Sequence, residues 1–185
     1  MTPLEPPLEK LRSILKEAVA RVDRPLEIIL IGGAAVLLTG ARKRVTQDVD
    51  ILASAAPVLR KLGALKPPIQ PVSDSFLCLH PDYRKACKYI RALSFPAKIR
   101  VYRLSSLDLA ISKLSRFQQV DIEDIEAILE KEQIQKRAFL RRYATARAYY
   151  TNSKQTDFNV KLLIRKFYRE DFDPEKDLPR PIGGA

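Results

Sequence analysis

The segment Leu26-Glu-Ile-Ile-Leu-Ile31 is a short apolar run rich in β-branched residues, and it ends on Gly32-Gly33. That junction constrains the chain more than any other feature. β-Branched residues favour extended backbone, so the run predicts a buried strand. The residues that follow predict a helix over Ala34–Gly40, closed by Gly40. A strand, a tight glycine turn and a helix leave unpaired backbone N–H groups at a helix N-terminus. There the free donors and the helix dipole favour phosphate, and glycine lets a triphosphate approach the backbone closely. The pattern is neither GxGxxG nor GxxxxGK(S/T), which excludes a dinucleotide-binding fingerprint and a P-loop. A double glycine alone is most often structural.

The continuation Arg42-Lys-Arg44-Val-Thr46-Gln-Asp48-Val-Asp50 adds chemistry. On a strand, residues i and i+2 share a face, so Asp48 and Asp50 point the same way while Val49 faces the core. Their Cα atoms are then roughly 6.5–7 Å apart. That spacing lets two carboxylates share metal ions about 3.5–4 Å apart. Mg²⁺, or Mn²⁺ in its place, takes such hard oxygen ligands and completes its shell with substrate phosphates. An Asp-x-Asp at a strand edge can also be a solvated polar face; the glycine turn upstream favours the metal reading.

The rest of the chain reads as an α+β protein with a helical C-terminal half. Leu8–Val22 has the apolar spacing of a surface helix, stopped by Pro25. Val49–Leu52 predicts a second strand, Ser54 can cap a helix to about Leu65, and Pro67–Pro71 reads as an extended loop. Ser75–Leu79, Tyr89–Leu93 and Ile99–Leu104 read as further strands in an antiparallel arrangement, and 106–117, 121–131, 134–150 and 157–169 as helices. The expected division is a core over 1–104, a helical part over 105–170 packed on it, and a disordered Pro- and Gly-containing tail over 171–185.

Charge is unevenly placed. Of the net +11, +9 lies between Lys136 and Arg169, where ten Lys/Arg meet one acid, Asp157. Seven of the fourteen aromatics share that stretch, and basic residues interleaved with aromatics suit RNA whose bases can stack. The candidate contacts are Arg137, Arg141, Arg142, Tyr143, Arg147, Lys161, Arg165 and Lys166. The competing reading is a set of amphipathic helices with core aromatics and solvated charges. No apolar run is long enough to span a bilayer, and the N-terminus lacks a signal-peptide layout, so a cytoplasmic protein is expected. Cys78, Cys87 and the single His80 form no zinc motif, and reduced thiols are the simpler expectation.

Gly32-Gly33, then fourteen residues, then Asp48-Val-Asp50 resembles the first motif of the DNA polymerase β-like nucleotidyltransferase superfamily. The chain is most similar to small prokaryotic branches, including the abortive-infection and toxin–antitoxin nucleotidyltransferases. The resemblance continues through Leu107-Asp108 to Lys113 and Arg116, then Asp121-Ile-Glu-Asp124, and covers roughly residues 26–130. It implies a mixed sheet flanked by helices and transfer of a nucleoside monophosphate from an NTP to an acceptor, with RNA such as tRNA leading. An antitoxin would be a possible partner. By the same resemblance Gly32, Gly33, Arg44 and Thr46 would hold the nucleotide and Asp48 and Asp50 the metal. Lys113 would contact the triphosphate, and Asp121 or, better, Asp124 would complete the catalytic set. For Asp121 a helix N-cap is the alternative role, and Ser105 is a candidate cap for the helix holding Asp108. One departure stands out: many members carry a third carboxylate on a later central strand, where this chain has Ile99-Arg-Val-Tyr-Arg103. That leaves open catalysis with a weakened site, binding without catalysis, and transfer to protein side chains.

Overall fold

The computed structural model describes residues 6–42, 48–53, 65 and 68–179. Arg44, Thr46 and most of the expected helix after Ser54 lie outside these residues. The chain divides into two compact units, Met1–Ser73 with Cys87–Leu104, and Asp74–Ala86 with Ser105–Ala185.

The first unit is built on a five-stranded mixed sheet. Its strands are β1 (Leu26–Leu30), β2 (Val49–Ala53), β3 (Ile69–Pro71), β4 (Lys88–Tyr89) and β5 (Ile99–Arg103), in the order β3-β2-β1-β5-β4. β1 runs antiparallel to β2, with Leu30 opposite Ile51, and parallel to β5, with Leu30 opposite Arg103. Strand periodicity sorts the side chains: Ile28, Leu30, Val49, Ile51, Ile99 and Val101 share one face, none more than 1% exposed. Helices α1 (Pro6–Val19) and α2 (Gly32–Thr39) pack on one another, and α2 packs on β2. α1 buries Leu11, Ile14, Leu15 and Ala18, the stripe its sequence spacing predicts.

Several elements differ from the sequence expectation. β3 falls in the expected extended loop. Prolines there already force extended backbone, and Pro71, which has no N–H to offer, is tolerated because β3 is an edge strand. Ser75–Leu79 is not a strand. Asp74–Phe76 forms a 3₁₀ turn in the second unit, with Phe76 too exposed, at 73%, for a sheet position. Tyr89–Leu93 keeps only Lys88–Tyr89 as strand before a 3₁₀ turn over Arg91–Leu93. The late strands β4 and β5 pair antiparallel, as expected, and β5 lies parallel to β1, which makes the sheet mixed.

The second unit is helical: α3 (Tyr83–Ala86), α4 (Ser106–Ser112), α5 (Gln119–Lys131), α6 (Lys136–Ala148), α7 (Ser153–Leu163) and α8 (Pro174–Asp177). Ser105 caps α4, accepting the Asp108 N–H at 3.1 Å. The helix expected over 106–117 breaks after α4 into a 3₁₀ turn, and Phe117 ends it at φ 52°. α7 starts earlier than expected and closes in a π-helical turn over Ile164–Tyr168. Residues 171–179 are ordered, against the expected disordered tail: Phe172 is buried at 4% exposure and Asp173 caps α8 through the Glu175 N–H.

Carboxylates tie these helices together. The fully buried Asp108 accepts a forked pair of hydrogen bonds from Arg142, Nε at 2.7 Å and Nη2 at 2.8 Å, which joins α4 to α6. Asp157 does the same for Arg147 at 2.6 and 2.7 Å and also accepts the Tyr143 hydroxyl at 2.7 Å, joining α6 to α7. Removing one partner of a buried pair strands the other charge. Arg142→Ala should therefore destabilise the protein by about 3–5 kcal/mol, whereas Arg141→Ala, at an exposed position on the same helix, should change stability by less than about 0.5 kcal/mol. Chemical denaturation of the two variants measures the difference.

Candidate functional site

The glycine junction is a tight turn held against an acid. Ile31 continues β1 in extended conformation and donates its N–H to the Asp50 carbonyl at 3.0 Å. Gly32 then takes φ 57°, a left-handed conformation that glycine adopts without cost, and α2 begins. A Cβ on Gly32 would lie 2.4 Å from Asp50 Oδ2 and 3.3 Å from its Cγ. The carboxylate of Asp50 thus rests on the bare Cα at the start of a helix. Ile31 occupies the N-cap, and its side chain makes no cap hydrogen bond. Gly33, the second residue of that turn, is partly exposed, and at the far end Gly40 closes the helix at φ 68°.

Asp48 stands just before β2 and Asp50 within it, both half-buried, while Val49 and Ile51 are sealed in the core. These hard oxygen donors suit Mg²⁺ in kind. Among the described residues, no group of three or more His, Cys, Asp or Glu forms a complete metal cage. The neighbouring strand adds no acid. Arg100 pairs with Glu27 at 3.3 Å, and Arg103 is buried and donates to the Leu104 carbonyl at 2.9 Å.

Lys113 and Asp124 are brought together with each other, inside the helical unit. The Lys113 ammonium, its side chain 5% exposed, lies 2.9 Å from Asp124 Oδ2 and 3.1 Å from Asp121 Oδ1. Arg116 closes the cluster with a fork on Asp121 at 2.7 and 2.8 Å. Asp121 is not the N-cap. It is the third residue of α5 and reaches back to accept the Gln118 N–H at 3.1 Å, a capping-box geometry. Burial opposes ionisation of Asp121, but the Arg116 hydrogen bonds and the Lys113 charge outweigh it and hold the carboxyl below the usual range. Arg116, which the resemblance included without a role, thus joins Lys113 and the two aspartates in one cluster.

The basic C-terminal residues divide. Tyr143 is fully buried and is therefore corrected from a stacking residue to a core one. Its hydroxyl pKa is raised by burial, with Asp157 adding to the effect. Arg142 and Arg147 are committed to Asp108 and Asp157, and Lys166 pairs with Glu126 at 2.8 Å. Arg137, Arg141, Lys161 and Arg165 remain exposed. His80 accepts the Asp82 N–H locally at 3.0 Å, and burial together with the Arg142 charge lowers its pKa. Cys78 and Cys87 are free thiols, Cys78 buried with its pKa pushed up to about 12 by burial and by Asp157.

The chain belongs to the DUF6036 family, described as nucleotidyltransferases of unknown function, which matches residues 8–171. No curated protein and no solved structure matches the chain. No described helix is long and apolar enough to cross a membrane.

Two predictions follow from this geometry. Gly32→Ala would force a methyl into the Asp50 carboxylate at a left-handed backbone position, so it should cost about 1–3 kcal/mol in thermal unfolding and displace Asp50. Asp121, with its folded pKa depressed, contributes stability that is present above the unfolded carboxylate value, about 3.9, and is lost as pH falls through the folded value. Asp121→Asn should be less stable at neutral pH by about 3 kcal/mol and should show a flatter acid limb. Melting temperatures at pH 7 and below pH 4 test this.

Proposed function

We propose that this protein is a metal-dependent nucleotidyltransferase that moves a nucleoside monophosphate from an NTP to RNA, with tRNA the leading acceptor. The observation that carries the reading is the apposition of Asp50 and Gly32 at the start of α2. Backbone N–H groups there suit the NTP phosphates, and the Asp48 and Asp50 oxygens suit Mg²⁺ or Mn²⁺. The ion, once bound, would neutralise phosphate charge and activate the attacking oxygen. The protein's own part is positioning: the left-handed glycine brings the phosphate backbone contacts and the carboxylate to one point. Arg137, Arg141, Lys161 and Arg165 offer charge to an RNA backbone. Lys113 and Asp124 fit a supporting role better than direct phosphate contact, because their charges neutralise one another. The reading places the protein in the cytoplasm, where NTPs and RNA are available, and the likeness to toxin-type branches makes an antitoxin a candidate partner.

A second reading, binding without turnover, draws on the lack of an acid on β5. One experiment separates them. Wild type and Asp48→Ala/Asp50→Ala are each incubated with labelled NTPs, Mg²⁺, total RNA and total protein. Label entering RNA, and falling at least about 100-fold in the double variant, is the expected result, since several kcal/mol of charge stabilisation would be gone. Label in protein would instead identify a side-chain acceptor. Equal labelling by the variant would overturn the aspartate assignment, and no label beside salt-sensitive RNA binding would favour the second reading.

A further inference from the structure

A groove of about 410 Å³ opens within the helical unit. Phe117, Ile122, Leu162 and Leu163 give it an apolar lining, which Gln119, Arg165 and Lys166 complete. Two backbone irregularities shape it. Phe117 sits at φ 52°, a conformation that a bulky residue rarely adopts, and Arg165 and Lys166 belong to the π-helical turn that ends α7. Both features cost energy in an ordinary helical packing and concentrate at functional sites. Beside the groove, Phe158 and Leu162 lie one helical turn apart on α7 and are 57% and 44% exposed. Lys161 is exposed on the same stretch, and neither it nor Arg165 makes an ion pair with an acid among the described residues.

An apolar ridge and groove bordered by cations define their complement. We propose that this surface docks an acidic, amphipathic helical segment of a protein partner. Aliphatic side chains at helical spacing fill the groove and cover Phe158 and Leu162, and carboxylates on the flanks of that segment meet Lys161 and Arg165. RNA is a poorer fit at this place. Successive bases stack on a row of aromatic faces, whereas only one residue lining the groove, Phe117, is aromatic, and Ile122, Leu162 and Leu163 are aliphatic. The inference does not rest on nucleotidyl transfer, and it assigns Lys161 and Arg165 to a protein partner rather than to RNA.

The test uses the full chain and fluorescence anisotropy. The probes are a labelled synthetic helix with leucines at i, i+3, i+4 and i+7 and glutamates elsewhere, a peptide of identical composition with that spacing scrambled, and a labelled oligouridine. The expected result is at least about tenfold tighter binding of the patterned peptide than of the scrambled one. Leu162→Glu and Arg165→Glu should each weaken it by about tenfold, and Arg91→Glu in the sheet-bearing unit should leave it unchanged. Both groove positions are exposed, so circular dichroism should report intact folding; if Leu162→Glu does not fold, Arg165→Glu decides alone. Equal binding of the two peptides, or indifference to both groove variants, would overturn the proposal. So would oligouridine binding that Leu162→Glu abolishes without any peptide binding.

Discussion

At the centre of the sheet-bearing unit a carboxylate occupies the space where a side chain would otherwise be. Asp50 Oδ2 lies within 2.4 Å of the position a Gly32 Cβ would take. Much else is fixed by that contact. The left-handed φ at Gly32 turns the chain out of β1, and the Ile31 N–H bonded to the Asp50 carbonyl locks β2 antiparallel beside it. With β2 in that register, Val49 and Ile51 enter the core and Asp50 is turned the other way. A one-residue slip would turn Asp50 toward the face on which Val49 and Ile51 are buried, so the hydrophobic pattern of β2 and the close approach at Gly32 enforce the same alignment. The negative charge also sits near the positive end of α2, a favourable placement for a carboxylate.

The helical unit solves a different problem, that of packing the cationic stretch Lys136–Arg169, which holds a single acid, against the more acidic segments around it. It does so with well-placed carboxylates. Asp108, Asp121 and Asp157 are each met by a forked arginine, and each joins segments distant in sequence or fixes a helix start. Such pairs are costly to desolvate, and they hold because hydrogen bonds fill most of the carboxylate's acceptor sites. In consequence the surface field is smaller than the sequence charge implies. Arg142 and Arg147 are internal struts, Lys136 is paired with Glu170 and Lys166 with Glu126. The cations left for a polyanion are those on the outer faces of α6 and α7.

Local rules made the glycine junction legible. An apolar β-branched run, two glycines and a helix former have few other solutions, and the period-two rule placed Val49 inward and Asp50 outward. The Ser105 cap was legible for the same reason. Features set by tertiary partners were not. Nothing local marks Tyr143 as core rather than platform, because its burial depends on Thr156 and Asp157 more than a dozen residues away. Ser75–Leu79 reads as a strand by composition, yet no neighbouring strand exists to cover Phe76, and the segment joins the helices, where Cys78 donates its N–H to Ser115 Oγ at 2.8 Å. Pro67–Pro71 shows the converse: residues read as loop because of proline were already extended enough to pair as an edge strand.

The strand beside β1 sharpens what the proposed chemistry demands. β5 contributes Arg100 and Arg103 where related domains carry an acid, and Arg100 is tied to Glu27. Two carboxylates cannot fill the shell of a divalent cation, which takes six or more oxygens. Under the proposed reading, phosphate and water must supply the remainder, so ion and nucleotide would bind as a linked pair, each weak without the other. A third aspartate would have pre-formed the site and weakened that linkage. The same scarcity of acid lowers the electrostatic cost of bringing a polyphosphate to this corner, because fewer negative charges oppose it before the metal arrives. The two-acid arrangement is therefore suited to capturing a metal–nucleotide complex as a unit, with the backbone at Gly32 and Gly33 rather than a third side chain fixing its position.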